Sequence, residues 1–221
     1  VVPDHGEVWC RPARVGARTT TRVTLVQVGM REDYALRRTF AVAKRTLRVD
    51  YRLESLEDVP LQVVWAAHPL LPLTEDAELD LGPIRRLRVH SGTLAAAGAE
   101  LDPGRPVLDG RAVITRPGSL PTGHCVKAFA PLPAGIEVGV AYPARGVGLA
   151  LRLDTDRRAW LGLWLNAMGF PADAPVGHLA LEPSFGDTDA LGDAIDTGTC
   201  LQVPARGEAR WSLAYEVRDI A

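Results

Sequence analysis

Hydrophobic and polar positions alternate strictly along residues 45–54. Leu47, Val49, Tyr51 and Leu53 fall on one side, and Thr46, Arg48, Asp50, Arg52 and Glu54 on the other. A period of two is the mark of a β-strand with one wet face. The pattern returns over 210–217, where Trp211, Leu213, Tyr215 and Val217 share a face. It returns again at Ile136, Val138, Val140 and Tyr142, and at Leu149, Leu151 and Leu153. Less regular apolar runs predict further strands over 20–28, 37–43, 61–67, 84–90, 124–130, 159–165, 177–182 and 199–203.

Turn chemistry separates these runs. Glu57-Asp58-Val59-Pro60, Asp102-Pro103-Gly104, Pro117-Gly118, Leu132-Pro133-Ala134-Gly135 and Pro204-Ala205-Arg206-Gly207 all favour reversal of the chain. Short strands recurring with turns between them predict an all-β fold, a large antiparallel β-sandwich with at most one or two short helices. The helical candidate is 187–196, with Asp187 as its cap and Leu191, Ala194 and Ile195 as its apolar side. The β pattern runs through residues 1–221 without a linker or a convincing repeat, so a single domain is expected.

Composition changes this picture little. The sequence of 221 residues is 47% hydrophobic and 24% charged, as in ordinary globular proteins. A net charge of −2 gives no electrostatic case for nucleic acid or for an acidic membrane surface. Charges, His and Pro interrupt every apolar run well short of the ~20 residues of a membrane span. Of the 25 basic residues only Lys44 and Lys127 are lysines, which most simply reflects a GC-rich genome. Cys10, Cys125 and Cys200 have neither zinc nor disulfide spacing and favour a reducing, cytoplasmic setting. The opening Val-Val-Pro, with neither Met nor signal peptide, suggests that further residues precede it. No signal points to a particular oligomer.

The candidate chemistry is sparse. The sequence holds no G-x-S-x-G, Walker A loop, H-E-x-x-H or Rossmann fingerprint. Asp4-His5-Gly6-Glu7 would place His5 and Glu7 on one strand face, but two ligands are too few for a metal centre. No metal or cofactor is expected. His68 ends an apolar strand beside Pro69, where it is either a hydrogen-bonded structural histidine or an acid–base group titrating near neutrality. Glu182 closes the apolar run Val176–Leu181 and precedes Pro183. A carboxylate there is either paired with an arginine or at work, since unpaired burial is unfavourable. Trp65 reads as core, whereas Trp164, close to Asn166, is the better candidate to stack on a sugar face.

Taken in order, these residues resemble the aldose 1-epimerase (galactose mutarotase) superfamily. His5-Gly6 comes near the start, and Trp65-Ala66-Ala67-His68-Pro69 follows a strand. Leu161-Gly162-Leu163-Trp164-Leu165-Asn166 and Leu181-Glu182-Pro183 come next, then Thr188-Asp189-Ala190-Leu191 and the turn Val203–Glu208 before Trp211. The resemblance covers essentially the whole chain and looks like the last two-thirds of the family domain. It implies a sugar pocket on a concave sheet and interconversion of the anomers of an aldose. It implies His68 as general acid, Glu182 as general base and His5 as a sugar contact, without metal or cofactor. The partner implied is a small-molecule sugar.

The sequence also departs from that family's pattern. The family's substrate-binding Arg would fall before Val1. Its hydroxyl-holding Asp would fall near Thr122-Gly123-His124-Cys125, where Gly123 stands and His124 is the substitute. Glu7 stands where the known epimerases carry an apolar residue. The sugar-contact set is therefore His5, Glu7, His124, Trp164 and Asn166, around His68 and Glu182. Two alternatives remain: a carbohydrate-binding protein without turnover, and another sugar enzyme such as a lyase or hydrolase. A hydrolase would draw on Glu7 with Glu182 as its carboxylate pair.

Overall fold

The computed structural model describes residues 6–220. A helical turn, α1 (Gly6–Trp9), leads into β1 (Arg14–Arg18), β2 (Arg22–Val28), β3 (Tyr34–Ala43) and β4 (Thr46–Ser55). Short pieces follow: β5 (Leu61–Val63), β6 (Trp65–Ala66), β7 (Leu71–Pro72), β8 (Glu78–Asp80), β9 (Leu87–Gly92) and β10 (Glu100–Leu101). The longer strands resume with β11 (His124–Leu132), β12 (Glu137–Tyr142), β13 (Val147–Asp154), β14 (Ala159–Ala167) and β15 (Gly177–Phe185). Helix α2 (Leu191–Asp196), β16 (Leu201–Val203) and β17 (Glu208–Asp219) complete the described chain.

Two large antiparallel sheets face one another. One has the order β1-β2-β3-β4-β17-β13-β12-β8, and the other β10-β9-β11-β14-β15-β6, with β7 also pairing β15. Strands β5 and β16 form a small ribbon. This is the all-β sandwich that the alternating pattern predicts. Leu161, Leu163, Leu165, Leu179 and Leu181 on β14 and β15 are fully buried and share one hydrophobic cluster with Leu36, Leu53, Leu151 and Leu213 of the other sheet. Each such side chain contributes about 1.5–3 kcal/mol by leaving water. An aromatic set ties the layers together: Trp65 lies 4.9 Å from Tyr51, 5.5 Å from Phe185 and 5.1 Å from Trp211 between ring centroids. Trp65 is thus half-buried and packed against the core.

Three local expectations change. The predicted strand 61–67 is two pieces, with β5 pairing β16 and β6 pairing β15. The helix predicted over 187–196 covers only Leu191–Asp196, and Ala190 holds its N-cap position without a side-chain bond. Asp187 does not cap it, because its carboxylate accepts a hydrogen bond from the Thr199 hydroxyl at 2.7 Å. Finally, Glu7 lies in a helical turn rather than a strand.

Candidate active site

The hydrophobic faces of β11, β14 and β15 point into the sandwich, so alternation turns Lys127, Trp164, Asn166, His178 and Glu182 to the other face. Glu182 pairs across the ladder with Gly162 on β14. On its other side β6 and β7 keep one register with β15: Ser184 pairs with Ala66 and His178 with Pro72. The Ala67 amide donates to the Pro183 carbonyl at 3.0 Å, so His68 arrives opposite Glu182. Its Nδ1 lies 3.3 Å from Glu182 Oε1. Pro69 lacks an amide hydrogen and interrupts the ladder there.

The Glu182 carboxylate is buried, with a residue exposure of 3%. Its Oε2 accepts from the Lys127 ammonium at 2.5 Å. Lys127 is itself 7% exposed and reaches Glu182 from two strands away. Gly162 lies between them. A Cβ at Gly162 would stand 3.1 Å from the Phe129 ring and 3.3 Å from Glu182 Cβ, so the bare backbone keeps this passage open. Lys127 Nζ also lies 3.4 Å from Asp189 Oδ1, and His90 Nε2 is 3.8 Å from the other oxygen of that carboxylate. Glu182 Oε1 is buried with no hydrogen bond of its own.

A second histidine completes the face. The Trp164 indole N–H donates to His178 Nε2 at 2.8 Å, which requires that nitrogen to be unprotonated. Burial lowers the His178 pKa from its ordinary value, and the neighbouring His68 lowers it further. His178 is thus held neutral beside the His68–Glu182 pair.

The other expected site residues are distributed unevenly. His5 lies outside the described residues. Glu7 Oε2 accepts from the Met30 amide at 2.7 Å and from the Tyr34 hydroxyl at 3.4 Å, so Glu7 clamps the turn between β2 and β3. His124 pairs with Ala167, and alternation puts it on the face opposite Lys127 and Glu182. Asn166 shares the face of Glu182, but its amide is engaged. Its Nδ2 donates to the Phe170 carbonyl at 2.7 Å, and its Oδ1 accepts from the Gly169 and Phe170 amides. It folds the tip between β14 and β15. Trp164 is half-buried on this face, with Phe170 edge-on at 6.0 Å.

Lys127, Asp189 and His178 join the site without having been read as site residues, although Asp189 belongs to the Thr188–Leu191 motif of the resemblance. Lys127 carried a signal: it is a charged residue between Val126 and Ala128, both of which face the core. Among the described residues no cluster of three or more His, Cys, Asp or Glu could hold a metal ion. No helix among them is long and apolar enough to cross a membrane.

No family model matches the sequence, and no curated protein matches it significantly. The fold, however, has clear relatives among solved structures. A candidate aldose 1-epimerase from Escherichia coli K12 superposes with a TM-score of 0.71 at 15% identity, covering 98% of this chain and 72% of the other. A galactose mutarotase related enzyme from Lactobacillus acidophilus gives 0.68 at 14%, over 100% and 75% of the two chains. A galactose mutarotase-like protein from Lactobacillus casei ATCC 334 gives 0.66 at 18%, over 98% and 76%. The chain therefore has the galactose mutarotase-like fold.

Proposed function

We propose that this protein is an aldose 1-epimerase-like isomerase that interconverts the anomers of a sugar. The observation that carries the reading is the His68–Glu182 juxtaposition on a mutarotase-like sheet, with the Glu182 carboxylate buried and its Oε1 3.3 Å from His68 Nδ1. Anomer exchange needs one group to take a proton and another to give one at neighbouring oxygens of the same ring. Glu182 takes the proton of the anomeric hydroxyl while His68, in its protonated form, gives one to the ring oxygen. The bond between the anomeric carbon and the ring oxygen breaks, leaving an open-chain aldehyde. Rotation about the adjacent carbon–carbon bond exposes the other carbonyl face. The ring oxygen attacks it, its proton returns to His68, and the Glu182 proton passes to the new anomeric oxygen. Atoms and protons balance without a cofactor.

The supporting residues have distinct tasks. Lys127 fixes Glu182 through Oε2, and Oε1 is turned toward His68 at 3.3 Å. The Trp164 ring offers a flat surface for the apolar C–H face of a sugar. A second reading, sugar binding without turnover, draws support from the same Lys127–Glu182 contact, which already engages half of the proposed base.

The test is anomer exchange of glucose, galactose and their 6-phosphates, followed by polarimetry and NMR exchange spectroscopy. Glu182→Gln and His68→Asn should each reduce exchange by about 10²–10⁴-fold while sugar affinity is largely kept. Wild-type protein that binds a sugar but accelerates exchange of none would establish the binding reading instead. Full activity in Glu182→Gln would remove Glu182 as the base.

A further inference from the structure

The outer face of the eight-stranded sheet, on the far side of the sandwich from Glu182, holds a concavity of about 650 Å³. That volume falls within the range of small-molecule sites. Strand register organises its lining into three stripes. Arg37, Arg52 and Arg210 are successive partners across β3, β4 and β17. Two residues along lies a polar stripe of Thr39, Asp50, Ser212 and Asp154. Beyond it come Arg48 and, across Ala41, Arg22.

Like charges directly opposite one another across a ladder are destabilising, so the Arg37–Arg52–Arg210 row needs counter-charge. Glu208 supplies part of it, at 2.6 Å from Arg52 and 2.5 Å from Arg210. Arg48 pairs with Asp50 at 2.8 Å and lies 3.8 Å from Asp154, and Arg157 at the rim pairs with Asp156 at 3.2 Å. Arg22 and Arg37, one on each wall, make no ion pair among the described residues. Between the walls, Thr39 and Ser212 are buried although they lie on the outer face.

We propose that this groove binds a hydroxyl-rich small molecule, a sugar or other polyol, carrying a phosphate or similar oxyanion at each end. The two arginine stripes lie four residues apart along β4, about 13 Å at the backbone. Guanidinium groups leaning inward from both walls would grip the two oxyanions by paired N–H donors. On the floor the Ser212 hydroxyl suits the hydroxyls between, while the Thr39 hydroxyl is bonded to Thr24 at 3.0 Å and Asp50 and Asp154 are held by Arg48. The site lies on the other sheet from the proposed epimerase centre and does not depend on it.

The test is calorimetric titration of the full chain with fructose 1,6-bisphosphate, inorganic phosphate, unphosphorylated fructose and a short single-stranded oligonucleotide. The bisphosphate is expected to bind at least tenfold more tightly than inorganic phosphate, and fructose not measurably. Affinity should fall as salt rises. Arg22→Gln and Arg37→Gln, both at exposed positions, should each weaken the bisphosphate about tenfold, a loss of ~1.4 kcal/mol. The proposal is overturned by no bisphosphate binding at low salt, by equal affinity for inorganic phosphate, or by indifference to both arginine variants. It is equally overturned if the oligonucleotide binds more tightly and loses affinity in the same two variants.

Discussion

His68 faces Glu182 because two short strands hold one register with β15 on either side of the pair, and their nearest polar atoms lie 3.3 Å apart. The spacing is therefore a property of the ladder and leaves little slack. Glu182→Asp keeps the charge but withdraws the carboxylate by one carbon–carbon bond, about 1.5 Å. Misplacement on that scale can lower a rate about 100-fold, so anomer exchange should fall by that factor with sugar affinity nearly unchanged. Unaltered exchange in Glu182→Asp would contradict the geometry.

The Lys127–Glu182 pair is expected to matter for stability as well. Removing one partner of a buried ion pair leaves an uncompensated charge and costs about 3–5 kcal/mol. Lys127→Met should show that loss in urea unfolding. Lys127→Met combined with Glu182→Leu should recover most of it, since an apolar pair carries no charge to desolvate. A double variant no more stable than the single one would argue against coupling between the two.

Asn166 is expected to act on the fold rather than on a sugar. Each buried polar group left unpaired costs roughly 1–3 kcal/mol, and Asn166→Ala abandons two amide hydrogens and a carbonyl. Its unfolding free energy should drop by about 2–4 kcal/mol while the folded fraction keeps its sugar affinity. Weakened sugar binding at unchanged stability would return Asn166 to the list of sugar contacts.

Acid should destabilise the protein partly through His178. Its imidazole pKa is depressed in the fold, first by burial and then by His68, so the native state binds fewer protons than the unfolded chain. The resulting stability is present above the ordinary histidine pKa near 6.5 and is lost as pH falls through the depressed native value. His178→Gln keeps an acceptor for the Trp164 indole but cannot titrate. Its urea midpoint should therefore fall less steeply than wild type between pH 7 and 5, and parallel curves would refute this.

All four tyrosines should resist ionisation. Burial pushes Tyr34, Tyr51 and Tyr142 up to about 12, with the Glu7 charge adding to the effect at Tyr34. Burial raises Tyr215 further, with a contribution from Tyr51. The unfolded chain ionises near pH 10, so stability is lost as pH rises from there through the native values. Phenolate absorbance should stay low past pH 10 and appear together with loss of the fold. Ionisation near pH 10 with the fold intact would contradict it.

The strands were legible in the sequence wherever one face is wet. Residues 45–54 and 136–142 match β4 and β12 closely because alternation survives there. The 61–67 run failed as one strand because its partners lie in different sheets, which no local pattern records. Strands β1, β7, β8 and β10 were missed: two have only two residues, β8 has three, and β1 is exposed along its length. At the site, His68 and Glu182 stood out because each ends an apolar run beside a proline. Lys127 did not, because its meaning depends on a glycine in the neighbouring strand and a carboxylate in the next one. Glu7 and Asn166 were drawn toward the sugar by proximity in sequence to other candidates, whereas their hydrogen bonds serve nearby turns.

The two members of the proposed catalytic pair also belong to parts of the molecule with different resistance to opening. Glu182 rides on β15, which is laddered along its length to β14 in the interior of the sheet. His68 hangs between β6 and β7, two-residue pieces on the free edge, separated by a proline that donates nothing. Short edge segments open at far lower free energy than central strands. The edge can therefore breathe while the carboxylate and its lysine stay in place. Local opening of that edge should separate His68 from Glu182 well before β15 itself unpairs.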